Sequence, residues 1–74
     1  MKRADLNKYS QLLIETEGQV LTCDLKISPK ENIWIAYMPS KTITAGVPLK
    51  PLTLTDELIV RIVERADGTI FLKL

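Results

Sequence analysis

The residues that carry most enzymatic chemistry are scarce in this chain. Among its 74 residues there is no histidine, a single cysteine at position 23 and three glycines. Lack of histidine removes the commonest general base, the usual nucleophile triads and most metal sites within one chain. The glycines fall in neither a G-x-G-x-x-G nor a G-x-x-x-x-G-K-[ST] pattern, so no phosphate-cradling fingerprint exists. Carboxylates are the acid and base candidates left. Asp56 and Glu57 are adjacent, but neighbours on a strand face opposite sides and on a helix point about 100° apart. Asp24 and Glu15 could meet across a hairpin, yet the sequence supplies no apolar pocket to split their pKa values. The expectation is a chain that is not an enzyme, with no catalytic residue, cofactor or metal.

One stretch is different. "ENIWIAYMPSK" (31–41) holds the only tryptophan, Trp34, with Tyr37 and Met38. Lys26, Lys30, Lys41 and Lys50 surround it against Glu31 alone, so residues 26–50 sum to +3 while the flanking segments each sum to −1. On a strand, Trp34, Ala36 and Met38 share one face, and Ile33, Ile35 and Tyr37 the other. Pointing the isoleucines at the core sends Trp34 and Met38 outward. The candidate interaction face is therefore Trp34, Met38, Lys26, Lys30 and Lys41. Such a face suits a protein partner, because tryptophan and methionine are enriched at interfaces. It also suits single-stranded nucleic acid, stacked on the ring while lysines follow the backbone. The competing reading buries Trp34 in the core of a strand that is apolar on both faces.

The elements that must position these residues read as strands. "QVLTCDLKI" (19–27) alternates cleanly, with Leu21, Cys23, Leu25 and Ile27 on the inward side. Cys23 is thus expected to be a small core residue rather than a reactive thiol. Glu17-Gly18 is a tight-turn pair, so Tyr9–Thr16 and Gln19–Ile27 form a first hairpin. "SPKEN" (28–32) turns the chain into "IWIAYM", and "TITAG" (42–46) returns as a short strand of a second hairpin. "VPLKPLTLT" has two prolines three residues apart, which excludes a central strand and gives an extended crossing. Its P-x-x-P pattern is read as a connector rather than a ligand motif. The C-terminal stretch "DELIVRIVERADGTIFLKL" admits two readings. Thr55 could cap a helix over 55–66, or "LIVRIVE" and "TIFLKL" could form a hairpin about Asp67-Gly68. The density of β-branched residues favours the hairpin.

The expected fold is mainly β: a small antiparallel barrel or roll of five to six short strands, with α+β as the alternative if 55–66 is helical. Residues 1–8 are expected to be a polar N-terminal arm or a short helical turn opened by Asp5, and 9–74 a single β-rich domain. A chain this short buries only about 60–65% of its unfolded surface, so oligomerisation is the expected supplement where no disulfide or zinc can serve. Ten Lys and Arg against nine Asp and Glu give a net charge of +1, which argues against a dedicated polyanion binder. No secretory signal and no membrane-length apolar run is present, so a cytoplasmic protein is expected. "GVPLKPLTLTDELIVRI" (46–62) loosely resembles a segment of small antitoxin-like bacterial β-proteins. That resemblance implies a small bacterial, phage or plasmid regulatory protein. The functional expectation is a non-catalytic, self-associating protein-interaction module, with a small nucleic-acid-binding β-barrel as the alternative.

Overall fold

The computed structural model describes residues 1–38, the backbone of 43–44 and 47–48, and residues 50–74. The chain opens with a 3-10 helix, Arg3–Lys8. Strands β1 (Gln11–Thr16), β2 (Gln19–Ser28) and β3 (Ile33–Tyr37) follow. Next come the two-residue strands β4 (Ile43–Thr44) and β5 (Val47–Pro48), then β6 (Leu52–Leu54). The chain ends with a single helical turn α1 (Asp56–Ile59), β7 (Val63–Glu64) and β8 (Ile70–Lys73). Six strands form one sheet in the order β6-β3-β2-β1-β8-β7, and β4 pairs with β5 in a separate two-stranded sheet.

The mainly β expectation holds, with two differences. The sheet is open, with β6 and β7 as its edges, so no closed barrel forms. It is also mixed, because β1 and β8 run parallel while the other pairs are antiparallel. A parallel neighbour requires a long crossover, and here everything from β2 to β7 supplies it.

Local chemistry explains the turns. Glu17 (φ 50°) and Gly18 (φ 76°) both occupy the left-handed region, the two-residue turn whose twist matches an antiparallel hairpin. Thr16 consequently pairs with Gln19, and the register runs back to Gln11 opposite Asp24. At the next turn Asn32 takes φ 54°, and its amide donates to the Ser28 carbonyl at 2.8 Å. The predicted second hairpin does not form as expected: β3 pairs with β6, and Ile43–Thr44 pairs with β5. The extended crossing after Pro51 therefore ends in a real strand. It is an edge strand, the position that nearby prolines leave open.

The C-terminal stretch combines both readings. Thr55 caps α1, its hydroxyl accepting from the Leu58 amide at 3.3 Å, with Asp56 and Glu57 in the first turn. The helix stops after one turn. Val63–Glu64 then pair with Phe71 and Ile70 about a loop containing Gly68 at φ 85°. Asp67 shapes that loop by accepting from the Thr69 hydroxyl (2.6 Å) and amide (3.0 Å), which holds its carboxyl below the usual range. Capping starts the helix and the β-branched run ends it.

One face of the sheet carries the core. Leu12 and Ile14 (β1), Leu21, Cys23 and Leu25 (β2), Trp34 and Ala36 (β3), Leu54 (β6), Ile70 and Leu72 (β8) are buried. Leu6 from the 3-10 helix, Ile59 from α1 and Ile62 just beyond it join the same cluster. Residues 1–8 are thus a docked helical turn rather than a free arm, since Leu6 is 0% exposed. Arg3 reinforces the docking. It donates to the Asp56 carboxylate at 2.8 and 3.2 Å and to the Asn32 carbonyl, joining the N-terminus to α1 and the β2–β3 turn. Such an exposed ion pair is worth under about 1 kcal/mol, so Leu6 is the main anchor.

Leu6→Ala is expected to lose about 2–5 kcal/mol of unfolding free energy in a urea titration, as buried leucines do. Lys8→Ala, two residues on and exposed, should stay within about 0.5 kcal/mol. Equal, small effects for both would show that the N-terminal turn is not part of the core.

Candidate functional site

The structure does not assemble the candidate face expected from the sequence. Trp34 is 4% exposed and points into the core, opposite Ile27 on β2 and Leu54 on β6. The reason is register. Leu25 faces inward and pairs with Ala36, and directly paired residues share a face, so Ala36 and Trp34 must face inward too. Met38 is half-buried against the same core, its Sδ 3.4 Å from Cys23 Sγ. Lys26 lies on the opposite face, Lys30 is exposed in the β2–β3 turn, and Lys41 is outside the described residues.

The residues expected inward, Ile33, Ile35 and Tyr37, are the ones on the outer face. Continuing across the sheet, the outward positions include Thr53 (β6), Lys26, Asp24, Thr22 and Val20 (β2), and Leu13 and Glu15 (β1). Phe71 and Lys73 (β8) and Val63 (β7) complete them. Three outward apolar residues form one cross-strand row: Leu13 pairs with Phe71, and Phe71 with Val63. Val63 is 56% exposed, Val20 54% and Tyr37 40%, while Leu13, Ile33, Ile35 and Phe71 are half-buried. Among the described elements no helix packs on this face, because both short helices contribute to the other side.

Its charges are mixed. Glu15 and Lys73 pair across β1 and β8 at 3.8 Å. The Lys26 ammonium lies 5.8 Å from the centre of the Tyr37 ring, and the Arg65 guanidinium 4.2 Å from that of Phe71. Asp24 stands directly opposite Tyr37. This face was missed by reading "IWIAYM" in isolation. The signal lay in "QLLIE": Leu12, Leu13 and Ile14 break the period of two, as in a strand apolar on both sides.

The sheet edges are less available. β6 is three residues long and β7 two, and short edges are a common protection against strand addition. A cleft of about 400 Å³ does lie beside β7, lined by Met1, Asp5, Lys8, Tyr9, Ile62, Val63 and Glu64. Its carboxylates are engaged: Asp5 accepts from the Lys2 amide at 3.2 Å and Glu64 from the Tyr9 hydroxyl.

No acid–base constellation is assembled from the carboxylates weighed in the sequence. Asp56 is bonded to Arg3, and Glu57 is exposed on α1. Glu15 and Asp24 share a face but are not opposite one another, since Glu15 pairs with Val20 and Asp24 with Gln11. Among the described residues no group of three His, Cys, Asp or Glu side chains comes together to hold a metal ion. Likewise, no helix of the described residues is long and apolar enough to cross a membrane. No family model, curated protein or solved structure matches this chain.

Cys23 sits in the core as expected, fully buried between inward leucines. Burial, with a smaller contribution from the negative Asp24, pushes its thiol up from 9.0 to about 11. The thiolate is the nucleophile, so the folded protein holds Cys23 in its inert form. Because the folded pKa is raised, the unfolded chain loses this proton first as pH increases. The associated stability is whole below pH 9.0 and disappears as pH rises towards 11. Over that window the wild type should lose on the order of 2–3 kcal/mol more than Cys23→Ala in paired urea titrations. Parallel curves for the two proteins would show that the thiol is solvated in the native state.

Proposed function

We propose that this protein is a non-catalytic interaction module whose working surface is the outer face of the six-stranded sheet. The observation that carries the reading is the cross-strand row Leu13, Phe71 and Val63, with a second apolar group, Ile33, Ile35 and Tyr37, on β3 beyond the polar outer side of β2. A sheet with one solvated face normally alternates apolar-in with polar-out. Here Thr22, Thr53 and Lys26 keep to that pattern and the apolar residues do not. Contiguous apolar surface rimmed by charge is characteristic of binding surfaces. The anchors are therefore Leu13, Phe71 and Val63 in one group and Ile35 and Tyr37 in the other, with Thr22, Asp24 and Lys26 of β2 between the groups and Glu15 and Lys73 beside the first. Trp34 and Met38 have a supporting role beneath them.

A second reading, single-stranded nucleic acid, draws on the placement of Tyr37 and Phe71 on one face, each beside a cation. It lacks its original stacking residue, Trp34. The two rings also stand on β3 and β8, with β2 and β1 between them. At a strand spacing of about 4.8 Å that separation is roughly 14 Å, too far for successive stacked bases. Asp24 beside Tyr37 opposes a phosphate backbone as well.

The test places a photo-crosslinking side chain at Ile35 or Phe71, and at exposed Glu57 on the helical side as control. The outer-face probes should yield protein adducts that persist in moderate salt, and the Glu57 probe should not. Nuclease-sensitive adducts that vanish with salt would transfer the function to nucleic acid. Equal adduct yields from both sides of the molecule would remove the outer face as the working surface.

A further inference from the structure

Asp67-Gly68 is the one place in the chain where an aspartate or asparagine precedes glycine. Asp5 and Asp24 precede leucine, Asp56 precedes glutamate, and Asn7 and Asn32 precede lysine and isoleucine. An Asp-Gly bond is open to backbone rearrangement because no side chain shields the glycine nitrogen. That nitrogen attacks the aspartyl side-chain carbon, a C–N bond forms, and the carboxyl hydroxyl leaves with the amide proton as water. The resulting succinimide takes up water at either carbonyl. One product is aspartate again, and the other is isoaspartate, whose backbone runs through the former side chain. Nothing is oxidised or reduced, and water is the sole co-reactant.

The carboxyl must be the neutral acid for this step, since its hydroxyl is the leaving group, and the Gly68 nitrogen must release its proton. The β7–β8 loop opposes both. Asp67 accepts from the Thr69 hydroxyl at 2.6 Å and from the Thr69 amide at 3.0 Å. Such bonds strengthen when the acceptor is charged and so favour the anion. They are the main reason the Asp67 carboxyl titrates below its usual range. The Gly68 amide donates its proton to the Arg65 carbonyl at 3.1 Å, and the Arg65 amide closes the loop on the Thr69 carbonyl at 2.8 Å. Burial contributes nothing: Asp67, Gly68 and Thr69 are all exposed, and a Cβ at Gly68 would meet no atom within 4 Å.

We infer that Asp67-Gly68 is a site of isoaspartate formation that the folded loop holds back, with the Thr69 hydroxyl as the group that sets the rate. The bond reacts chiefly from the opened loop, so its rate in the folded protein follows the frequency of local opening. This stands on the loop alone and is independent of what the outer face binds. The product adds a methylene to the backbone between β7 and β8. The Arg65–Thr69 closure and the pairing of Val63 with Phe71 rely on the unextended loop. Isoaspartate therefore loosens β7, the edge strand, and leaves the registers of β1, β2 and β3 in place.

The test ages the full chain at fixed neutral pH and maps it by electron-transfer fragmentation, which distinguishes isoaspartate from aspartate. Wild type should accumulate isoaspartate at position 67 before any other Asp or Asn position. Its rate should rise several-fold when guanidinium chloride unfolds the chain. Thr69→Val keeps the branched shape without the hydroxyl. Folded, it should age about threefold faster or more, the factor one exposed hydrogen bond supplies; unfolded, it should match the wild type. Thr69→Ser restores the hydroxyl and should age as the wild type does in both states, which separates guarding from a general loosening of the fold. Should Thr69→Val fail to fold, the wild-type comparison and Thr69→Ser still decide. Equal rates for folded and unfolded wild type overturn the inference. So do a folded Thr69→Val that ages like the wild type, earlier isoaspartate elsewhere, or none at position 67 in the unfolded chain.

Discussion

Strand β2 has one dry side, and the rest of the molecule is phased to it. Leu21, Cys23 and Leu25 must leave water together, and their alternation is the least ambiguous pattern in the chain. Pairing then transmits the facing strand by strand. Leu12 opposite Cys23 and Ile14 opposite Leu21 turn the inward side of β1, and Ala36 opposite Leu25 turns that of β3. Leu72 follows Ile14 on β8, and Leu54 follows Trp34 on β6. Because side chains repeat every two residues, a one-residue slip at any step would expose an entire inward set. The left-handed positions Glu17, Gly18 and Asn32 matter for that reason: they hold the registers at either end of β2.

The same phasing determines what is left outside. Once Trp34 is inward, Ile33, Ile35 and Tyr37 have no choice but the outer face. Once Leu12 and Ile14 are inward, Leu13 must accompany them outward. Apolar residues on both sides of β1 and β3 satisfy sheet formation, which favours β-branched and aromatic side chains whichever way they point. They also leave one face with more hydrocarbon than a solvated sheet surface requires. The feature assigned a working role above is thus a by-product of register combined with a composition rich in isoleucine and leucine.

How far the sequence discloses this follows from the range of each determinant. The β1–β2 hairpin, the inward Cys23 and the Thr55 cap depend on neighbours within a few residues, and each is legible. The facing of Trp34 depends on which residue of β3 meets Leu25, a contact whose register the intervening turn sets, and the residue types in "IWIAYM" point the other way. The parallel pairing of β1 with β8 spans most of the chain, and no local pattern announces it. In "DELIVRIVE" two local signals compete. Thr55 and the acidic first turn start a helix, and the β-branched run beyond it returns the chain to strand, so neither reading alone describes the segment. For the candidate site the consequence was an inversion: the side of β3 expected to face outward lies in the core, and the working face proposed here is the opposite one.

The cations over the outer-face rings bear on how strongly such a surface would hold a partner. The Lys26 ammonium and the Arg65 guanidinium stand over the Tyr37 and Phe71 rings, 5.8 and 4.2 Å from their centres, and shield part of each ring in the isolated chain. Exposed contacts of this kind are worth about 0.5–1 kcal/mol each, and the shielded area is already partly removed from water. Association therefore gains less than the bare apolar area implies, unless both cations swing to the rim and keep their ring contacts there. Leu13 and Ile35 are already half-buried, while Val63, 56% exposed, has more left to gain, with the charged residues governing orientation. On the proposed reading, that division favours reversible association: the apolar contact open to a partner is modest, and the charged residues among it orient the partner more than they hold it.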